Sequence, residues 1–233
     1  MAVWKNVVLA ASEQFDRKRE VLLREAAASF NRRGYHGTSL AEIAKKLGVT
    51  KAALYTYVPS KEDLLYYCHD SAMDSASENL QKARETGGTG LEKLTKTLRR
   101  YLELMLGEEG GYVILLEENA MKPAHVRAIV KRRDQFEQGL REFVVEGIKD
   151  KSIAPCNPKL AIFMVMGALN WSRKWYRPNG AWTGPQIAFA LTEMLERSLS
   201  SAPSSRLVED LTATQVEPEP ESVVVPKSRR RLA

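Results

Sequence analysis

The stretch from Thr38 to Leu65, TSLAEIAKKLGVTKAALYTYVPSKEDLL, constrains this chain more than any other. Leu40, Ile43, Ala44 and Leu47 fall at i, i+3, i+4 and i+7, the spacing of one helix face. Thr38 or Ser39 supplies a hydroxyl to cap that helix, and Gly48 stops it, because glycine takes the left-handed conformation without strain. Val49 plugs the turn, and Thr50 caps a second helix expected over Lys51 to Tyr57. Pro59 ends it, and Ser60 with Asp63 opens a third helix as an imperfect capping box. Helix, glycine turn, helix is the helix-turn-helix arrangement, whose second helix enters the DNA major groove. Its exposed side should carry Thr50, Lys51, Ala52, Tyr55 and Tyr57, with Leu54 turned inward. Short hydroxyls, a cation and tyrosines reach phosphates and base edges.

Particular residues add to the spacing. Ala26-Ala27, Phe30, Gly34-Tyr35, Gly37-Thr38-Ser39, Ile43-Ala44, Gly48-Val49-Thr50-Lys51, Leu54-Tyr55, Tyr57 and Ser60-Lys61-Glu62 closely resemble the N-terminal domain of TetR-family transcriptional regulators. The resemblance covers about the first third of the chain. One position departs from it: Val58 stands where the family has an aromatic, most often phenylalanine, and a β-branched apolar residue should still fill that site. The resemblance implies an all-α homodimer with an N-terminal three-helix DNA-binding domain and a C-terminal helical domain that binds an effector and dimerises. The DNA contacts it implies are Thr38, Ser39, Thr50, Lys51, Ala52, Tyr55, Tyr57 and Lys61.

The organisation follows in order. Residues 1–15 read as a flexible arm, 16–76 as the DNA-binding domain (motif about 39–58), 77–200 as the ligand-binding and dimerisation domain, and 201–233 as a disordered tail. A first helix from about Asp16 to Arg33 buries Val21, Leu22, Ala26 and Phe30. The helix from Ser60 runs to about Arg84, long enough to leave one domain and enter the next. Leu91, Leu94, Leu98, Tyr101, Leu102 and Met105 mark another helix, and Val113 to Met121 a short buried one. Pro123 opens a helix with its apolar face at Val126, Ile129, Phe136, Leu140, Phe143 and Val144. The tail is rich in Pro, Ser, Glu and Val, lacks aromatics, and ends in a basic cluster at Lys227 to Arg231.

The segment KLAIFMVMGALNWSRKWYR, after Asn157-Pro158, is apolar nearly all round until Asn170 and should be buried on every side. Leu160, Met164, Gly167, Ala168 and Trp171 share a face that would meet a symmetry mate, joined by Leu191 and Leu195 from a last helix over Pro185 to Ser198. Ile114, Met166 and Leu169 are candidates for an apolar effector pocket, with Leu115, Met121, Phe143 and Ile162; all would serve equally as core. Asn170-Trp171 and Trp175-Tyr176-Arg177-Pro178 resemble a motif of acyl-CoA-responsive family members. On that resemblance Arg173, Trp175, Tyr176 and Arg177 would meet the CoA phosphates and adenine.

Composition narrows the alternatives. The 233 residues are 44% hydrophobic and 27% charged, an ordinary globular balance, and the net charge of +6 favours an anionic partner. Two cysteines without C-x-x-C spacing and three scattered histidines give no metal site and suit a cytoplasmic protein. No run reaches the roughly 18 apolar residues of a membrane span. Thr86-Gly87-Gly88-Thr89-Gly90 is not a P-loop, since no Lys-Ser or Lys-Thr follows. Glu117 and Glu118 point about 100° apart on a helix, and no catalytic constellation assembles. The expectation is a repressor that binds palindromic double-stranded operator DNA as a homodimer. A small apolar effector, with acyl-CoA among the candidates, releases it, and no other cofactor is needed. An activator of the same fold and a small-molecule enzyme on a helical scaffold are the alternatives.

Overall fold

The computed structural model describes residues 11–107 and 118–202. Among them are eight α-helices: α1 (Ala11–Arg33), α2 (Leu40–Leu47), α3 (Lys51–Leu54), α4 (Lys61–Thr86), α5 (Gly90–Leu106), α6 (Pro123–Lys149), α7 (Pro158–Trp175) and α8 (Gly184–Leu199). A 3-10 turn, Glu118–Ala120, precedes α6, and the described β pairing is one isolated bridge between Ile153 and Ser200. The fold is all-α.

Local chemistry sets most of the helix ends. Ser39, Thr89 and Thr183 each accept the third backbone N–H of their helix while Glu42, Glu92 or Gln186 reaches back, which makes three complete capping boxes. Asn157 caps α7 by accepting from Lys159 and Leu160. Gly48 takes φ 70, ψ 31 beyond α2, as a left-handed stop requires. α1 begins at Ala11 rather than Asp16, so the last five residues of the expected arm are helical, and Phe15 stacks on Tyr57 at 4.7 Å.

Two separate cores form. The first joins α1, α2, α3 and the start of α4 through Leu22, Phe30, Ile43, Leu54, Val58 and Leu64. Val58 is fully buried there, so valine fills the position where the sequence departs from the resemblance. The second core joins α4 to α8 through Leu94, Leu98, Leu102, Phe143, Ile162, Val165 and Ala188. α4 belongs to both. Leu64, Leu65 and Cys68 lie in the first core, while Ala72, Ala76, Leu80 and Ala83 lie in the second. The cores therefore change between Cys68 and Ala72, inside one helix, a little before residue 76.

α6 crosses the same junction. Met121, just before it, is buried in the first core with Ala120 and Val126 packed alongside, so Met121 is no part of an effector pocket. Lys122 Nζ lies 3.2 Å from Asp63 Oδ1, and Arg132 clamps α4 through Asp70 and Asp74 at 2.5 and 2.6 Å. At the far end, Gly90 opens α5 directly against the α6 backbone at Phe143 and Gly147, and its N–H donates to Asp150 at 2.8 Å. Of the helix expected over Val113 to Met121, the last four residues are described and form a 3-10 turn at Glu118–Ala120 followed by Met121; its first five residues, the glycine break before it, the N-terminal ten residues and the tail from 203 lie outside the described residues.

Candidate nucleic-acid interface and effector cavity

The recognition surface is short. α3 is regular only over Lys51–Leu54, and Tyr55 to Tyr57 continue it as a tight turn, with Tyr57 and Val58 both donating to the Leu54 carbonyl. Thr50, Lys51, Ala52, Tyr55 and Thr56 are exposed on one side, and Leu54 and Val58 are buried on the other. Tyr55 is 48% exposed, and the Lys51 ammonium sits 5.9 Å from its ring centroid. Thr50 Oγ1 accepts the Ala53 N–H, which leaves the hydroxyl able to donate as well.

The other expected contacts are more constrained. Thr38 is buried, and its hydroxyl meets the Ser29 and Gly34 carbonyls at 3.1 and 2.9 Å. It ties α2 to the end of α1 and is withdrawn from DNA. Ser39 is exposed, but its hydroxyl is held in the Glu42 capping box. Tyr57 is half-buried under Phe15, and the Lys61 ammonium lies over the Tyr35 ring at 4.1 Å. Thr56 escaped the sequence reading, because a helix continued to Tyr57 would have placed it differently from the turn it occupies. The basic residues of α1 are largely paired: Arg24 with Glu20, Arg33 with Glu42, and Arg19 over Tyr67.

A cavity of about 660 Å³ lies between α4, α5, α6 and α7. Such a volume suits a small-molecule site. His69, Ala72 and Met73 of α4 form one wall, Tyr101 of α5 another, and Ile129 and Phe136 of α6 a third. Lys159, Phe163, Met166 and Asn170 close it from α7. Across it Tyr101 Oη donates to Asn170 Oδ1 at 2.7 Å. Arg133, Asp134, Glu137 and Arg141 of α6 join Lys159 among the charged lining groups, and Arg141 pairs with Glu137 at 2.9 Å. His69 is only 4% exposed, and its Nε2 has no hydrogen-bond partner among the described residues. Burial, with Arg133 nearby adding to it, pushes its pKa down to about 4, so the ring is neutral at pH 7.

Of the expected pocket residues, Met166 lines this cavity. Leu169, Phe143 and Ile162 are fully packed in the second core, and Ile114 and Leu115 lie outside the described residues. The cluster at the end of α7 goes elsewhere. Arg173 donates to the Met105 carbonyl at 3.1 Å and satisfies the last turn of α5. Arg177 turns back onto the carbonyls of Lys174 and Tyr176, and Tyr176 packs on the second core. Trp175 faces outward with Trp182 and Met194. Arg173, Trp175, Tyr176 and Arg177 therefore cap and cover helices, and the cations at the cavity are Arg133, Arg141 and Lys159.

α7 thus presents three faces. Ala161, Ile162, Val165, Leu169 and Ser172 are buried in the core. Lys159, Phe163, Met166 and Asn170 line the cavity. Leu160, Met164, Gly167, Ala168, Trp171 and Trp175 are exposed, with Trp171 65% exposed and nothing within 4 Å of a Cβ built on Gly167. On α8, Leu191 and Leu195 are half-buried against the second core, while Phe189 and Met194 are exposed.

Among the described residues no group of three His, Cys, Asp or Glu could hold a metal, and no helix is long and apolar enough to cross a membrane. Two family models match the chain: bacterial regulatory proteins of the tetR family over residues 22–68, and the tetracyclin repressor-like C-terminal domain over residues 87–199. The chain is 24% identical over 174 residues to the HTH-type transcriptional repressor KstR2 of Mycolicibacterium smegmatis, covering 73% of this chain and 84% of that protein. It is 25% identical over 142 residues to the fatty acid metabolism regulator protein of Bacillus subtilis, covering 59% and 72% of the two chains. Among solved structures, AibR in complex with isovaleryl coenzyme A and operator DNA superposes with a TM-score of 0.65 at 29% identity, covering 76% of this chain and 97% of that one. With a capped helix-turn-helix at one end of α4, a helical domain at the other and both family models matched, the chain belongs to the TetR family of DNA-binding transcriptional regulators.

Proposed function

We propose that the protein is a homodimeric repressor whose grip on a palindromic operator is released when an acyl-CoA thioester enters the cavity between α4 and α7. The observation that carries this reading is the double membership of α4. His69, Ala72 and Met73 line the cavity, and Leu64, Leu65 and Cys68 sit in the DNA-binding core less than two turns away. An occupant pressing on the middle of that helix moves its N-terminal start. Recognition helices must sit about 34 Å apart, or a near multiple, to meet successive major grooves. A shift of α4 in each subunit breaks that spacing, which couples the two sites.

The exposed apolar face of α7 with the outer face of α8 supports the dimer. Leu160, Met164 and Trp171 beside bare Gly167 suit close approach of a symmetry mate. Leu191 and Leu195 contribute only their outer edges. The thioester is supported by the apolar lining at Ala72, Met73, Phe136 and Met166, where three cations, Arg133, Arg141 and Lys159, outnumber the acids Asp134 and Glu137, and by the isovaleryl coenzyme A held by AibR. A mobility-shift titration on DNA from upstream of the protein's own coding region tests this. A CoA thioester should release the DNA, and the matching free acid and free CoA should not. Equal release by the acid would exclude the thioester as effector.

A further inference from the structure

The cavity does not stop at its rim. Arg141 and Lys159 line both the cavity and an adjoining groove of about 540 Å³ between the C-terminal half of α6 and the start of α7. The groove follows α6 from Gln138 to Lys149 and closes against Asn157 and Pro158. Eleven steps of α-helix span about 16 Å, enough for an extended chain rather than a compact ring.

The charges of this groove do not cancel. Its two acids are neutralised from outside it: Glu142 pairs with Arg84 of α4 at 2.6 Å, and Glu146 with Lys93 of α5. Arg141 is matched by Glu137. Lys149 and Lys159 are exposed and have no carboxylate partner among the described residues. At Arg141 and Lys159 the cavity thus meets an open groove that carries excess positive charge.

We infer that this groove binds the phosphate-bearing arm of the effector, with the acyl group in the cavity and the diphosphate near Lys149 and Lys159. The inference rests on the thioester reading above. It adds that affinity comes from two compartments: apolar burial in one and charge-assisted phosphate contacts in the other. The arm runs outward over α6 and α7, well away from the Trp175–Arg177 end of α7.

Calorimetric titration of the full-length protein separates the two claims. The probes are isovaleryl-, octanoyl- and palmitoyl-CoA, each beside the matching S-acyl pantetheine, which keeps the thioester and lacks phosphate. The variant K149A, whose residue lines the groove and not the cavity, is compared with wild type, and circular dichroism checks its helix content. Wild type should bind its best CoA thioester more tightly than the pantetheine analogue, by about tenfold or more. The K149A variant should lose most of that preference while binding the analogue and operator DNA as wild type does. A variant that keeps the full preference overturns the groove assignment and leaves the thioester reading standing. Wild type that binds no CoA thioester overturns both.

Discussion

Lys122 Nζ lies 3.2 Å from Asp63 Oδ1, which ties the residue before α6 to the first turn of α4. Asp63 also accepts from Ser60 Oγ at 2.6 Å, so one carboxylate secures a helix start and a domain junction. The Ser60 hydrogen bond, then the Lys122 contact, holds its pKa below the ordinary carboxylate value. A depressed folded pKa stabilises above the unfolded value, about 3.9, and that stability is lost as pH falls through the folded one. Asp63→Ala should cost on the order of 1 kcal/mol in urea unfolding at pH 7, and the loss should vanish under strong acid.

His69 titrates with the opposite effect. The unfolded ring protonates near 6.5, whereas the folded ring stays neutral down to about 4. Between those values the unfolded chain binds more protons, so stability falls as pH drops from about 6.5 toward 4. His69→Leu should flatten that part of the stability curve, by at most about 3 kcal/mol. Thermal unfolding at a series of pH values reads it directly.

Tyr55 stands out from the turn that ends α3, so its loss should touch DNA binding alone. Tyr55→Ala should weaken operator binding about tenfold, roughly 1.4 kcal/mol, with unfolding and sedimentation unchanged. Unaltered mobility shift would move the recognition surface elsewhere.

Gly167 has open space where its Cβ would stand. Gly167→Trp therefore leaves the folded subunit undisturbed and overpacks the contact between two α7 helices. Sedimentation should report monomers with native helix content. A normal dimer would place the interface on another surface.

Gly90 is the reverse case. A Cβ there would stand 2.1 Å from Gly147 N and 2.4 Å from the Phe143 carbonyl, and both obstacles are backbone. Gly90→Ala should push α5 off α6 and cost about 3 kcal/mol, the upper end of the overpacking range. Urea unfolding checks it.

What the sequence disclosed is largely what local rules decide. The Leu40, Ile43 and Ala44 face, the Gly48 stop and the Ser60 cap all depend on neighbours within a few residues, and each appears where the pattern put it. The outward row Leu160, Met164 and Trp171 was legible because large apolar groups at helical spacing stand out. The cavity row was not. Lys159, Phe163, Met166 and Asn170 mix a cation, an aromatic, a thioether and an amide, so no hydropathy stripe marks them. Thr38 turns inward through two carbonyls of the preceding helix end, which its apparent place as a helix cap hides, and Met121 joins a core built some fifty to one hundred positions earlier. The Trp175 to Arg177 cluster lies away from this cavity, and cations and aromatics near a helix end serve equally well to cap carbonyls.

The three faces of α7 also fix its phase. One residue inserted after Asn157 would turn every later side chain by about 100°. Lys159, Met166 and Asn170 would then leave the cavity together, while Leu160 and Trp171 would swing off the outer surface. If the cavity row holds the effector and the outer row the symmetry mate, as proposed, drift in ligand preference is free to rewrite one row of this helix at a time, but its length before Arg173 is locked, because both would be read from the same rotating register.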